Sequence, residues 1–288
     1  MIAMMGRSIV VMLLTPLICL LAGSTDSSME PGDGLPEQQS GMTHRVSAQS
    51  AAKRALCLAS LVLRAQAEYQ LHPEPGDQPS PNGPIAQDFA VSQLAWMKRE
   101  GLWEAASAHE RILLEKPLGT WERQEVADGQ WREEGLLALL WALRPGTDLL
   151  PYDQIVSESE LTKLIPHPNA TQAFVAKAKL RDFREISKAR DVAELWLWRA
   201  RTTQIQRDHV KLPKGRTFEE IIRTAATQAE KDGLFTAIDH DFPALGRSYA
   251  KLSETQWYTM RSIATERLYA LNWLCGYSDD WDHVPTGT

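Results

Sequence analysis

Two charged residues of this chain stand where an oily side chain is expected, and they are its first candidates for chemistry. With each residue turning about 100° around a helix, Met260, Ile263, Leu271 and Leu274 share one face, and Arg267 projects from the middle of it. A second stretch lines up Ala127, Trp131, Ala138 and Trp141, with Glu134 at the centre and Arg132 and Glu133 turned to the polar side. One opposite charge in each of two apolar stripes is the pattern of a buried pair. Arg199, between Val192 and Leu195, is a candidate third member; Asn272 and the indole N–H groups of Trp131 and Trp273 are candidate polar partners.

Such a centre has two uses. As scaffolding it fixes helix register, provided every remaining donor and acceptor is satisfied, because each charge gives up several kcal/mol of hydration. As a polar pocket it makes Glu134 a general acid or base and Arg267 a clamp on an anionic substrate, which is the outline of a hydrolase. Perturbed charges cluster at functional sites, but structural networks perturb charges too.

Other chemistry-bearing groups are less organised. Asp239-His240-Asp241 and Asp279-Asp280-Trp281-Asp282-His283 contain metal-ligand types without the spacing of a calcium loop or a helical zinc pair. Turn and capping roles are expected for them, and no metal or cofactor. Seven histidines are scattered, none placed for a Ser or Cys triad. Glu133 with Glu134, or Glu134 with Asp282, are further carboxylate pairs that no spacing requires. Ten tryptophans are many: Trp131, Trp141, Trp196 and Trp273 fall on buried faces and read as core. An exposed cluster among Trp96, Trp103 and Trp281 would instead line a sugar- or peptide-binding groove.

The elements that must position these groups are helices. Three- and four-residue spacing of Ala52, Leu56, Ala59, Leu63 and Ala67 predicts a helix over 47–70. Others are expected at 86–100 and 103–116, from Thr120 as N-cap to Leu143, and at 187–208. Ser157 with Glu160, Thr217 with Glu220, and Ser253 with Gln256 have capping-box spacing, and Gly233 and Gly276 are expected helix stops. Strand pairs and internal repeats are lacking. The expected fold is all-α, a single multi-helix globular domain in at least two layers with little or no sheet.

Composition narrows the classes. The chain has 288 residues, 43% apolar and 24% charged, with net charge −6, values of an ordinary globular protein. Without a basic block it is not expected to bind nucleic acid. Residues 1–24 read as a secretory signal, with Arg7 before an apolar run to Ala22 and small residues at Ala22-Gly23-Ser24; the run is short for a membrane span and Pro16 interrupts it. Residues 25–43, rich in Ser, Gly, Pro, Glu and Gln, read as a flexible spacer, and 44–288 as the helical domain. Export would permit a disulfide between Cys57 and Cys275; both also suit apolar helix faces as free thiols.

Trp131-Arg132-Glu133-Glu134-Gly135 followed by Leu139-Leu140-Trp141-Ala142-Leu143, and Glu266-Arg267 followed by Ala270-Leu271-Asn272-Trp273-Leu274, resemble a bacterial family catalogued as domain of unknown function 4272. The terminus Trp281-Asp282-His283-Val284-Pro285-Thr286-Gly287-Thr288 is also similar, except that Gly287 stands where that family more often has an acidic residue. The resemblance spans 45–288 and implies a mostly helical domain, usually without an export signal, and no established activity. The sequence therefore leads to an exported, non-enzymatic domain that binds a protein or small ligand, with the Glu134–Arg267 hydrolase as the alternative. A structural role at the envelope, through an uncleaved N-terminal segment as the only membrane attachment, is a third reading.

Overall fold

The computed structural model describes residues 46–72, 83–144, 148–213 and 215–287. The signal (1–24) and spacer (25–43) lie outside the described residues. Helices carry the fold: α1 (Ala48–Leu71), α2 (Gly83–Arg99), α3 (Ala108–Glu115), α4 (Arg123–Leu143), α5 (Glu158–Leu164), α6 (Thr171–Lys177), α7 (Phe183–Arg207), α8 (Phe218–Lys231) and α9 (Glu254–Leu274). The only sheet among the described residues is one hairpin, β1 (Pro243–Ala244) against β2 (Arg247–Ser248). The chain is therefore an all-α protein with helices packed in layers.

Two compact units divide it. Among the described residues, the larger comprises those within 46–196 with 258–286, and the other those within 197–257 with Gly287. In the larger unit α1 is the central element, buried on almost every side from Ala51 to Glu68. Its alanines and Ser60 let neighbours approach closely, and α4 is its most extensive partner. Gly129 of α4 is the point of closest approach: a Cβ there would lie 2.7 Å from Ala65 Cβ and 3.0 Å from the Trp121 ring. Gly135, a turn and a half further on, faces Leu58 and the Glu266 carbonyl.

The ends of the helices follow the expected local chemistry in most places. Both groups of the Ser157/Glu160 and Thr217/Glu220 boxes are formed, and Ser253 and Gln256 exchange bonds in the same way. Gly233 and Gly276 adopt φ of 69° and 81°. The N–H of the residue after each reaches back to close the helix, Leu234 to Ala229 and Tyr277 to Asn272, the terminator that glycine allows without a Cβ penalty.

Three starts differ from the expectation. Thr120 is not the cap of α4: its hydroxyl donates to the Pro117 carbonyl at 2.7 Å, closing the preceding turn. The cap lies two residues later at Glu122, whose N–H donates to Glu125 at 2.9 Å. The stretch 103–116 is not one helix but a 3₁₀ turn, Trp103–Ala105, and then α3, because Ser107 and Glu110 form a capping box of their own. The helix α7 begins at Phe183 rather than 187, and α6 lacked a periodic apolar signal long enough to predict it.

Candidate functional site

Glu134 of α4 and Arg267 of α9 form a buried ion pair with side chains 1% and 0% exposed. Arg267 donates from Nε to Glu134 Oε2 at 2.8 Å, and Nη2 lies 2.8 Å from the same oxygen. Its other protons go to backbone: Nη1 to Leu150 and Pro151, and Nη2 to Gln154. The remaining Glu134 oxygen accepts from Val156 N–H at 3.0 Å. The guanidinium also lies over the Tyr152 ring, 4.8 Å from its centroid, and Tyr152 stacks on Trp196 at 5.3 Å. The pair therefore holds the non-helical stretch 150–156, whose backbone groups would otherwise be buried without partners. Burial pushes the Tyr152 hydroxyl above its ordinary pKa, and that hydroxyl has no hydrogen-bond partner.

The other candidate residues do not converge on this centre. Arg199 pairs instead with Asp241 through two bonds of 2.7 Å, in the smaller unit. Asp241 was expected in a turn or cap, and it does cap: it also accepts from Phe242 and Ala250 N–H. Asn272 accepts from Arg190 Nε at 2.9 Å and donates to the Pro285 carbonyl. Trp131 is only partly buried and meets the exposed Tyr258 edge-on at 6.4 Å. Trp273 is buried, edge-on to Trp281 at 5.4 Å.

Two further buried pairs went unnoticed in the sequence. Arg64 bonds Glu68 one turn along α1 and the Lys116 and Pro117 carbonyls, while Glu68 accepts from Gly119 and Trp121 N–H. Arg54 bonds Glu110 and the Ala105 carbonyl. The available signal was a cation among small residues on the otherwise apolar α1. All four pairs do the same work: a planar guanidinium and a carboxylate supply partners for the backbone of an adjoining turn.

Only the Arg54–Glu110 pair leaves groups unmet. Arg54 Nε and Glu110 Oε1 are buried and have no hydrogen-bond partner. Native structures rarely leave such atoms without a reason. Arg54 of this pair borders a cleft of about 460 Å³, lined also by Ser50 and Lys53 of α1, by Ala105, Ser107, Ala108 and Arg111, and by Trp273, Asp279, Asp280 and Trp281.

The C-terminal wall of that cleft is firmly held. Trp281 packs against the Arg54 guanidinium at 4.8 Å and edge-on to Tyr269 at 5.2 Å, and its carbonyl accepts from the Tyr269 hydroxyl. Asp282 accepts from His109 N–H at 3.0 Å, capping α3 from a distant segment. Asp280 takes His283 Nδ1 at 2.7 Å and the Asp282 N–H at 2.9 Å. Those bonds hold the Asp280 carboxyl below its ordinary pKa, and the carboxylate raises that of His283. By contrast, Lys53 and Arg111 have no carboxylate partner among the described residues, Arg111 donating only to the Ser107 carbonyl at 3.4 Å.

Neither Glu134 nor Arg267 lines this cleft, the cavity bordered by Leu143 and Ala178, or the one bordered by Trp96. No group of three or more metal-ligating side chains occurs among the described residues. Cys57 and Cys275 are free, buried thiols.

The fold and site define a helical domain pinned by buried arginine–carboxylate pairs, with one cleft carrying unpaired charge. The chain belongs to the family described as Domain of unknown function (DUF4272), whose model matches residues 34–220. The match includes the Trp131–Leu143 motif and stops short of Glu266-Arg267 and the C-terminal wall of the cleft. No curated protein and no solved structure matches the chain.

Proposed function

We propose that this is an exported, non-enzymatic binding domain that takes a small polar ligand in the Lys53–Arg54–Arg111–Trp281 cleft. One observation carries the reading. The four buried arginines pair with carboxylates, whereas Lys53 and Arg111 leave their charge unanswered at the edge of a concavity walled by two indoles. Concave sites with a few convergent polar groups on an apolar wall are the usual form of small-ligand sites.

Binding is favoured over the hydrolase alternative by the state of Glu134. Its oxygens are engaged by Arg267 and the Val156 N–H, and its side chain is 1% exposed. A general acid or base must reach the substrate proton directly or through one water. Export rests on residues 7–24 of the sequence. Among the described residues no helix is long and apolar enough to cross a membrane.

The test is a thermal-shift screen of the full chain with small polar compounds, repeated with Ser50→Trp, which fills the cleft from its exposed rim. The reading expects compounds that raise the melting temperature of the wild type and leave the variant unmoved. Equal shifts in both proteins would overturn it. For export, mass spectrometry of the mature protein from cell fractions is expected to find an N-terminus at Thr25; a chain retaining residues 1–24 in the cytoplasm would contradict it.

A further inference from the structure

We infer that the ligand of this cleft is a small zwitterion, an α-amino acid or a quaternary-ammonium carboxylate, bound with its anionic end at Lys53 and Arg111 and its cationic end at Asp279. The inference rests on the reading of the cleft as a ligand site, and it follows from how charge is distributed around the lining.

Three charged side chains of that lining have no ionic partner among the described residues: Lys53, Arg111 and Asp279. They are of opposite sign, yet no ion pair forms between them, so the two signs stand more than 4.0 Å apart within one concavity. The remaining charges are already spent. Asp280 is held by His283 and the Asp282 N–H, and Arg54 by Glu110 and the Ala105 carbonyl.

The backbone adds to the positive side. At the start of α3 the Glu110 carboxylate takes the Ser107 N–H, Asp282 takes that of His109, and the Ser107 hydroxyl takes that of Glu110. The N–H of Ala108, the first residue of the helix and part of the cleft lining, has no hydrogen-bond partner among the described residues. A helix start favours negative charge, here in the lining shared with two cations that have no carboxylate partner among the described residues.

A simple anion placed there gains from Lys53 and Arg111 but stands against Asp279; a simple cation has the reverse difficulty. A molecule carrying both signs meets an attraction at each end. Trp273 and Trp281 give its carbon body an apolar wall. The volume of about 460 Å³ leaves room for a side chain on the ligand, within the range of roughly 300–1,000 Å³ usual for such sites.

The experiment is isothermal titration of the full chain with glycine betaine, L-leucine, sodium acetate and tetramethylammonium chloride. At least one zwitterion is expected to bind at least tenfold more tightly than acetate and than tetramethylammonium. Lys53→Gln and Asp279→Asn should each weaken it by about tenfold, with melting temperatures unchanged. Ala108→Pro removes the N–H at a position where proline suits a helix, and Ser107 already has the extended backbone, φ −67° and ψ 166°, that a following proline requires. It should weaken the zwitterion and acetate but not tetramethylammonium; if it fails to fold, the two side-chain variants carry the test.

Acetate binding as tightly as the zwitterions, and blocked by Ser50→Trp, would discard the zwitterion while leaving the cleft a ligand site. Absence of binding by all four probes would also discard it. The cleft reading itself falls only if the screen of polar compounds gives no shift that Ser50→Trp abolishes.

Discussion

Arg267 Nε donates to Glu134 Oε2 at 2.8 Å across 133 residues of chain, and every other guanidinium proton ends on a carbonyl of 150–154 or on the same carboxylate. This is the saturation that a buried pair requires if attraction is to offset lost hydration. Glu134→Ala is therefore expected to destabilise the protein by about 3–5 kcal/mol, because it strands the cation and the Val156 N–H. Replacing both partners with apolar residues of similar volume should recover much of that loss. Urea unfolding of the single and double variants measures the difference.

Tyr152 offers the opposite sign. Its hydroxyl is buried without a partner beneath the Arg267 guanidinium, so it carries a desolvation cost with no bond in return. Tyr152→Phe keeps the ring that stacks on Trp196. It is expected to leave stability unchanged or raise it by up to about 1 kcal/mol, read in the same unfolding assay.

Gly129 tests how closely α1 and α4 meet. On helix propensity alone Gly129→Ala would gain about 1 kcal/mol. The added methyl would lie 2.7 Å from Ala65 Cβ, with no flexible side chain to yield. A net loss of about 1–3 kcal/mol is expected from overpacking. Combining it with Ala65→Gly should restore much of the loss, and thermal melts of the two variants would show it.

The thiols give a pH prediction. Burial pushes Cys57 from its ordinary 9.0 to about 12, and Cys275 to about 11. A folded thiol with a raised pKa keeps its proton where the unfolded one has lost it. Its contribution is therefore complete below pH 9 and is lost as pH rises through the window up to those values. At pH 8 neither thiol should react with an aromatic disulfide reagent in the folded protein, and both should react after unfolding. Rapid labelling of Cys57 or Cys275 in the native chain, located by peptide mapping, would contradict this.

Legibility in the sequence followed the range of the interactions. Helix stops at Gly233 and Gly276 and the boxes at Ser157, Thr217 and Ser253 depend on residues within one turn, and their spacing displays them. The pairing of Glu134 with Arg267 was legible because each is the single charge in an apolar stripe. Arg199 was read into the same centre because a stripe shows that a charge is buried but not which carboxylate it meets; Asp241 lay in a turn without periodicity. Of the cleft, only Trp273, Trp281 and the Asp279-Asp280 pair stood out in the sequence, and nothing there joined them to a cationic wall. The cleft lining joins α1, the turn before α3 and the C-terminal segment, and Lys53 and Arg111 look in sequence like ordinary surface cations.

The account stands on the cleft being the place where this domain binds, with the Glu134–Arg267 pair as scaffolding. Isothermal titration of a compound found in the thermal-shift screen, on wild type, Ser50→Trp and Glu134→Gln, tests this most directly. The predicted result is binding by the wild type, loss in Ser50→Trp with its melting unchanged, and affinity retained by whatever fraction of Glu134→Gln remains folded. Binding that survives in Ser50→Trp, but vanishes in a Glu134→Gln variant that melts like the wild type, would contradict it.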